Sequence, residues 1–348
     1  LAHIGSGITS QTVLSGLLPE EIAAVCNLKQ RFQALQIFQW IARGCSSFTE
    51  MTNLSLKERE RLNDTYTTYN SVCATVLKDP DGTVKLGIDL HDGSRIETVL
   101  LFDKQNRKTA CVSCQVGCPM GCAFCQTGQL GCLRNLAPNE IVEQFLHLEK
   151  ICGTLDNIVF MGMGEPLLNL DGIAQTIAVL THPKGRNLSH RRITLSTSGI
   201  CKGIYELADR KLEIRLAVSL TTADEKLRAE LMPVTKTNPL NELKKAIRYF
   251  NEKTKKRVTL ELALLKDINT SYEAASQVHT FTEGLDVHIN LIPWNPVEHL
   301  PFQTPSDSEI RTFYHYLTAG KLNVTIRQKR GRTIGGACGQ LGKKGIAG

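Results

Sequence analysis

The sequence predicts an α/β fold: an incomplete (β/α)6 barrel, preceded by a small N-terminal helical domain and a β-hairpin extension. Three observations predict it. From Thr109 onward strand-like and helix-like stretches alternate, which implies parallel strands joined by right-handed crossovers. The strand-like stretches number about six rather than eight, so the barrel is expected to stay open. Between Ile22 and Tyr69, in contrast, the apolar pattern is helical throughout.

Residues 1–75 are read as the helical accessory domain, a candidate RNA-binding module. Leu35, Phe38, Trp40 and Ile41 are spaced for one helix, and Leu54, Leu56 and Leu62 for another. Residues 76–105 form the extension: alternating runs at 84–90 and 95–102 flank His91-Asp92-Gly93, a turn sequence. Residues 106–330 are the barrel, with strands expected at 157–161, 192–196, 214–220, 258–265, 287–293 and 324–327. Helices at 139–150, 240–251 and 306–317 lie between them. In such folds functional loops gather at the carboxyl ends of the strands. Residues 331–348 are Gly-rich and irregular, and are expected to be a mobile loop carrying Cys338.

A chain of 348 residues with 42% hydrophobic content buries a real core and is not disordered. It has no apolar run of about 18 residues and no charged-apolar leader, so no membrane span is expected and a cytoplasmic location is. The net charge of +7 is spread along the chain. It suits a polyanionic partner and equally an ordinary solvated surface. Arg134, Lys184, Arg186, Arg191, Arg192, Lys329, Arg330, Arg332, Lys343 and Lys344 are candidate phosphate contacts on the same terms.

Twelve cysteines are many for a chain of this kind, and five fall between Cys111 and Cys125. Clustered thiols in a large chain with no need of disulfides point to metal or catalysis. Cys118-Pro-Met-Gly-Cys122-Ala-Phe-Cys125 places three thiols within eight residues, in a loop after a strand. A structural zinc wants four ligands, usually from two paired motifs, and no second motif is evident. A [4Fe-4S] cluster is ordinarily held by four cysteines, so three leave one iron open for a substrate.

The surrounding motifs are more specific. Cys111-Val-Ser-Cys-Gln-Val-Gly-Cys118, Met161-Gly-Met-Gly-Glu-Pro-Leu167, Ser196-Thr-Ser-Gly199, Leu291-Ile-Pro-Trp-Asn-Pro296 and Ala337-Cys-Gly-Gln-Leu341 occur in that order. The glycine motif is no phosphate loop, because the required Gly-Lys-Ser/Thr is missing. From about Arg95 to Leu341 the chain resembles the RlmN and Cfr family of radical S-adenosylmethionine RNA adenine methyltransferases.

The resemblance implies a [4Fe-4S] cluster on Cys118, Cys122 and Cys125, and S-adenosyl-L-methionine held at Gly164, Glu165, Ser196, Ser219, Leu220, Thr221 and Asn295. It also implies that Cys338 carries a methyl group as S-methylcysteine, that Glu97 is the base taking the ring proton, and that Cys111 releases the product by attack at the Cys338 sulfur. Adenine C2 lies between two ring nitrogens and has no lone pair, so it cannot attack a sulfonium directly. Hence a carbon radical is needed.

Gly-Glu-Pro-Leu at 164–167 and Pro-Trp-Asn-Pro at 293–296 resemble the branch that methylates C2. Its implied targets are an adenosine in the peptidyl-transferase centre of 23S rRNA and the adenosine 3′ of the anticodon in tRNA. Methylation at C8 is the alternative, and a noncatalytic metal-bearing RNA-binding protein is another. A reductant such as flavodoxin or ferredoxin and a monomeric state are also implied. A buried radical site requires the base to leave its stack.

The chain departs from the family pattern at Thr221, where His is usual, at Cys114 for Ser and at Cys132 for an aromatic residue. The stretch from Gly331 to Gly336 is less acidic than the family's, so the anchoring of the loop is open.

Overall fold

The computed structural model describes residues 11–342, so Lys343 and Lys344 lie outside the described residues. The helical module comprises α1 (Pro19–Val25), α2 (Arg31–Ala42) and α3 (Leu56–Thr65), with a short parallel pair, β1 (Thr12–Val13) and β2 (Tyr66–Thr67), joining its ends. Helix α2 buries Ala34, Ile37, Phe38 and Ile41, an i, i+3, i+4, i+7 stripe. Ser55 caps α3 through the Glu58 amide at 3.3 Å.

Ten strands form one sheet. An antiparallel wing consists of β3 (Val72–Lys78), β4 (Val84–Asp89) and β5 (Arg95–Phe102), and β5 pairs antiparallel with β6 (Lys108–Cys111). From β6 the sheet runs parallel through β9 (Asn157–Phe160), β10 (Ile193–Thr197), β11 (Arg215–Ser219), β12 (Val258–Leu264), β13 (Val287–Pro293) and β14 (Val324–Ile326). A separate hairpin, β7 (Gln115–Cys118) with β8 (Gly131–Asn135), follows β6. The sheet ends at β14 and β3 and does not close.

All six segments expected as barrel strands are strands, and the 84–90/95–102 hairpin is present, with Asp89 paired to Arg95 and Val84 to Leu100. Two strands of this sheet went unread, as did the short pairs β1–β2 and β7–β8. Strand β6 is the seventh parallel strand, and its four residues are too few to show a period. Strand β3 runs across residue 75, where the sequence suggested a boundary. It is a sheet edge exposed along most of its length, so it lacks the in-out alternation that marks a half-buried strand.

The crossover helices are α4 (Pro138–Cys152), α5 (Leu170–Thr181), α6 (Cys201–Asp209), α7 (Glu225–Leu231), α8 (Leu240–Thr254), α9 (Tyr272–Thr282) and α10 (Asp307–Ala319). Helix α8 buries Leu240, Leu243, Ala246, Ile247 and Phe250 on one stripe. Asp224, Ser271 and Ser306 cap α7, α9 and α10. Helix α4 holds the helical module in place: its buried Glu143 accepts from Ser15 Oγ at 2.8 Å and from the Ser71 amide at 2.9 Å.

Candidate active site

Strand β7 ends at Cys118, and the chain then leaves the sheet through Gly121, whose φ of +64° favours glycine, to present Cys122 and Cys125. The loop is fixed from three sides. The Ala123 amide donates to Leu231 O at 2.9 Å, Trp294 Nε1 donates to Phe124 O at 2.8 Å, and the Gln126 amide donates to Gly339 O at 2.8 Å.

All three thiols line a cavity of about 190 Å³, together with Gly164, Glu165, Ser196, Ser219, Thr221, Asn295 and Cys338. A larger adjoining cavity of about 540 Å³ is lined by Cys111, Cys125, Cys338, Asn295, Glu261 and Arg327, among others. Cys125, Cys338, Glu261, Asn295 and Arg327 face both.

Sequence and structure thus converge on ten of the expected residues in one cavity, with Cys111 in the next. Leu220 and Glu97 line neither. The Leu220 amide is spent on Glu261 O and its carbonyl on Arg228. Glu97, on β5, is buried, with Oε1 2.7 Å from Lys85 Nζ and Oε2 accepting the Gly342 amide at 2.7 Å.

The tail read as mobile is tied down along its described length. Asp81 Oδ2 accepts the Gly331 amide at 2.9 Å, and Asp79 Oδ2 accepts the Thr333 amide and hydroxyl at 3.0 and 2.7 Å. Lys85 reaches Gly335 O at 3.3 Å, Asn295 reaches Cys338 O at 3.2 Å, and Thr127 reaches Leu341 O at 2.8 Å. The acidity that segment 331–336 lacks is supplied by the β3–β4 turn.

Burial raises the thiols: Cys118 is pushed up to about 12, and Cys122 and Cys125 are also raised, Cys122 next by the neighbouring Cys125 and Cys118 sulfurs, while backbone hydrogen bonds oppose the rise at Cys118 and Cys125. Protonated thiols this deep become stable ligands only once a metal displaces the proton. Among the described residues, no group of three His, Cys, Asp or Glu side chains is drawn together tightly enough for a single metal ion. A structural zinc wants four protein ligands, whereas three thiols lining one cavity suit three corners of a four-iron cluster.

The cavity also contains polar atoms in search of partners. Thr221 Oγ1 and Asn295 Oδ1 are buried with no hydrogen-bond partner among the described residues, as expected where a polar ligand completes the set. Thr221 holds a φ of +61°, rare for a β-branched residue. Gly164 has a φ of +107°, and an added Cβ would lie 2.7 Å from Gln115 Cβ, so only glycine passes there. Both Glu165 oxygens are engaged, Oε2 by the Ser198 amide and hydroxyl at 2.7 Å and Oε1 by the Leu167 amide at 3.1 Å, while burial raises its pKa.

Two residues facing both cavities were missed from sequence. Glu261 accepts from Ser196 Oγ at 3.0 Å and lies 3.7 Å from Arg327 Nη1. A single carboxylate within the otherwise uncharged Val258–Leu264 was a usable cue, since an isolated buried charge is rare in a central strand. Arg327 follows the end of β14. Its cation is favoured first by the nearby Cys338 sulfur, against the opposing effect of burial.

Comparison with known proteins agrees with this geometry. Residues 112–275 match the model of the radical SAM superfamily, and residues 24–67 match that of the ribosomal RNA large subunit methyltransferase N-terminal domain. A probable dual-specificity RNA methyltransferase RlmN from Treponema denticola is 65% identical over 332 residues, covering 95% of this chain and 96% of the relative. The Treponema pallidum protein of the same name is 59% identical, covering 95% and 97%. The crystal structure of a radical SAM methyltransferase from Sphaerobacter thermophilus superposes with a TM-score of 0.90 at 38% identity, covering 95% of this chain and 99% of that one. The chain therefore belongs to the RlmN family of radical S-adenosylmethionine RNA methyltransferases, enzymes that use a [4Fe-4S] cluster and S-adenosyl-L-methionine.

Proposed function

We propose that this enzyme methylates C2 of an adenosine in the peptidyl-transferase centre of 23S rRNA and of the adenosine 3′ of the anticodon in tRNA. The observation that carries this reading is Cys338 standing in the wall of both cavities, with Cys118 and Cys122 in the smaller, Cys111 in the larger and Cys125 shared between them. A thiol so placed can take up a methyl group in one cavity and deliver it in the other. C8 methylation gains no support, since the similar relatives bear the RlmN name.

Cys118, Cys122 and Cys125 would hold the cluster, and Gly164, Glu165, Ser196, Ser219, Thr221 and Asn295 would hold S-adenosylmethionine; together these groups supply the methyl group and the one-electron chemistry that activates it. The protein's own residues do the rest. Thr221 Oγ1 and Asn295 Oδ1 offer free polar contacts, and Asn295 also fixes the backbone of Cys338. Cys111 attacks the Cys338 sulfur in the release step: an S–S bond forms, the C–S bond to the product breaks, and its electron pair is protonated to complete the methyl group. Glu97 serves as the base once the Gly342 amide lets go of its Oε2. The helical module, with Lys329 and Arg330 in the lining of the larger cavity, would bind RNA by shape and phosphate. The enzyme would act as a cytoplasmic monomer, with flavodoxin or ferredoxin as electron donor.

The test is anaerobic reconstitution with ribosomal RNA and tRNA in separate reactions, followed by mass spectrometry of nucleosides. 2-Methyladenosine in both is the expected result. 8-Methyladenosine, or no methylated base, overturns the reading.

A further inference from the structure

Arg228 is completely shielded from solvent. Its guanidinium donates to Thr235 Oγ1 at 2.7 Å, Ser198 O at 2.8 Å, Ser219 O at 3.0 Å and Leu220 O at 3.1 Å. These acceptors are neutral, and among the described residues no carboxylate forms an ion pair with it; Glu225, three residues earlier on the same helix, favours the cation only from beyond ion-pair distance. Hydrogen bonds satisfy the donors but leave the charge in place. Burying an unpaired ion costs several kcal/mol, so the fold retains this cation at a site where something else must offset it.

Its position says what that is. Arg228 lies on α7, one turn before Leu231, whose carbonyl holds the cysteine loop at Ala123. Leu231 and Met232 pack in one apolar cluster with Cys122, Met120 and Phe124. The carbonyls that Arg228 grips lie just past the end of β10 and at the end of β11, whose Ser196 and Ser219 face the smaller cavity. One short helix therefore braces the cysteine loop on one side and the cofactor-facing strand ends on the other, with a bare positive charge between them.

We propose that Arg228 is the fixed counter-charge of the cysteine-bound cluster, and a positioning residue for the strand ends bearing Ser196 and Ser219. The inference rests on Cys118, Cys122 and Cys125 holding that cluster. Metal-bound thiolates are anionic, and reduction adds a further negative charge. A nearby cation in a dry setting stabilises the reduced form and raises the potential.

The experiment is spectroelectrochemical titration of the reconstituted cluster, with iron per chain and thermal melting measured alongside. Arg228→Gln removes the charge, and Arg228→Lys keeps it while losing the forked hydrogen bonds. Cys201→Asp leaves the guanidinium intact and places a carboxylate at the first turn of α6, where the helix dipole accepts it; Cys201 Sγ lies 3.8 Å from Gly199 O, and Gly199 packs directly against the Arg228 guanidinium.

The expected result is a midpoint shifted to more negative potential in Arg228→Gln and Cys201→Asp, and unshifted in Arg228→Lys. A purely structural role would lower the melting temperature of both Arg228 variants alike and leave the potential unmoved, which overturns the proposal. Should Arg228→Gln fail to fold, Cys201→Asp against Arg228→Lys decides alone. Wild-type protein that binds no iron refutes the cluster reading itself, independently of Arg228.

Discussion

Lys85 Nζ lies 2.7 Å from Glu97 Oε1, and both side chains are nearly sealed from water, at 5% and 4% exposure. The same ammonium reaches Gly335 O, and the second Glu97 oxygen holds the Gly342 amide. The antiparallel wing, read from sequence as an extension, thus grips the loop of Cys338 on both sides of the cysteine. A carboxylate engaged in this way is a latch for the loop as well as a candidate base.

Breaking the pair from one side strands the other charge. Glu97→Ala should destabilise the protein by about 3–5 kcal/mol, the usual cost of leaving a buried ion uncompensated. A Lys85→Met, Glu97→Leu double variant should lose much less. Urea denaturation of the three proteins measures this, and equal losses in the single and double variants would contradict it.

The β3–β4 turn should control the front of the same loop. Asp79→Ala removes the acceptor of the Thr333 amide and hydroxyl, and Asp81→Ala that of the Gly331 amide. Cleavage by trypsin after Arg330 and Arg332 should speed up in both variants while the barrel stays intact. Unchanged digestion would show that Lys85 and Glu97 suffice.

Gly164→Ala should abolish cofactor binding with a modest loss of stability. The backbone there sits at φ +107°, and the new methyl would press on Gln115 and come within 2.9 Å of Cys114 Sγ. Strain of this kind costs about 1–3 kcal/mol. Calorimetric titration with S-adenosylmethionine should show no heat of binding, and wild-type affinity would remove Gly164 from the site.

Much of this was legible because the barrel is periodic. Its strands are buried and its helices amphipathic, so the alternation reads directly, and functional residues fall at strand ends where such folds put them. Ordered motifs then gave the cysteine triad and the residues that share its cavity. What stayed hidden depends on long-range pairing. Glu97 could be named as a base, but only the fold shows Lys85 opposite it. Segment 331–336 looked unanchored because its acidic partners, Asp79 and Asp81, lie some 250 residues earlier. Arg228 read as one more charge on a short helix, and nothing local shows that it is sealed inside.

Cys111 should be a poor nucleophile in the folded, metal-free protein. Burial pushes its pKa up to about 12, with Cys338 adding to the effect, whereas an unfolded thiol ionises near about 8.5. Alkylation by iodoacetamide should keep rising with pH between about 9 and 11 in the folded state and level off in urea. Because the unfolded chain loses this proton first, the shift also removes stability as pH rises from about 8.5 towards 12. A folded-state profile that plateaus near pH 9 would argue that Arg327 lowers the thiol more than burial raises it.

The three cysteine classes should fail in three distinguishable ways. Cys118→Ala removes one corner of the triad and should leave purified protein without a stable iron-sulfur chromophore. Cys338→Ala leaves the triad whole, so iron content, the absorption spectrum and reductive release of 5′-deoxyadenosine should persist while RNA methylation falls to background. Cys111→Ala keeps both the triad and the carrier but lacks the thiol that attacks the Cys338 sulfur, and a covalent enzyme-RNA species should accumulate on denaturing gels. The order of failure is what the geometry dictates: Cys338 touches both cavities, Cys118 only the smaller and Cys111 only the larger. Methylation surviving in Cys338→Ala, or a clean gel for Cys111→Ala, would break the assignment at that residue while leaving the others standing.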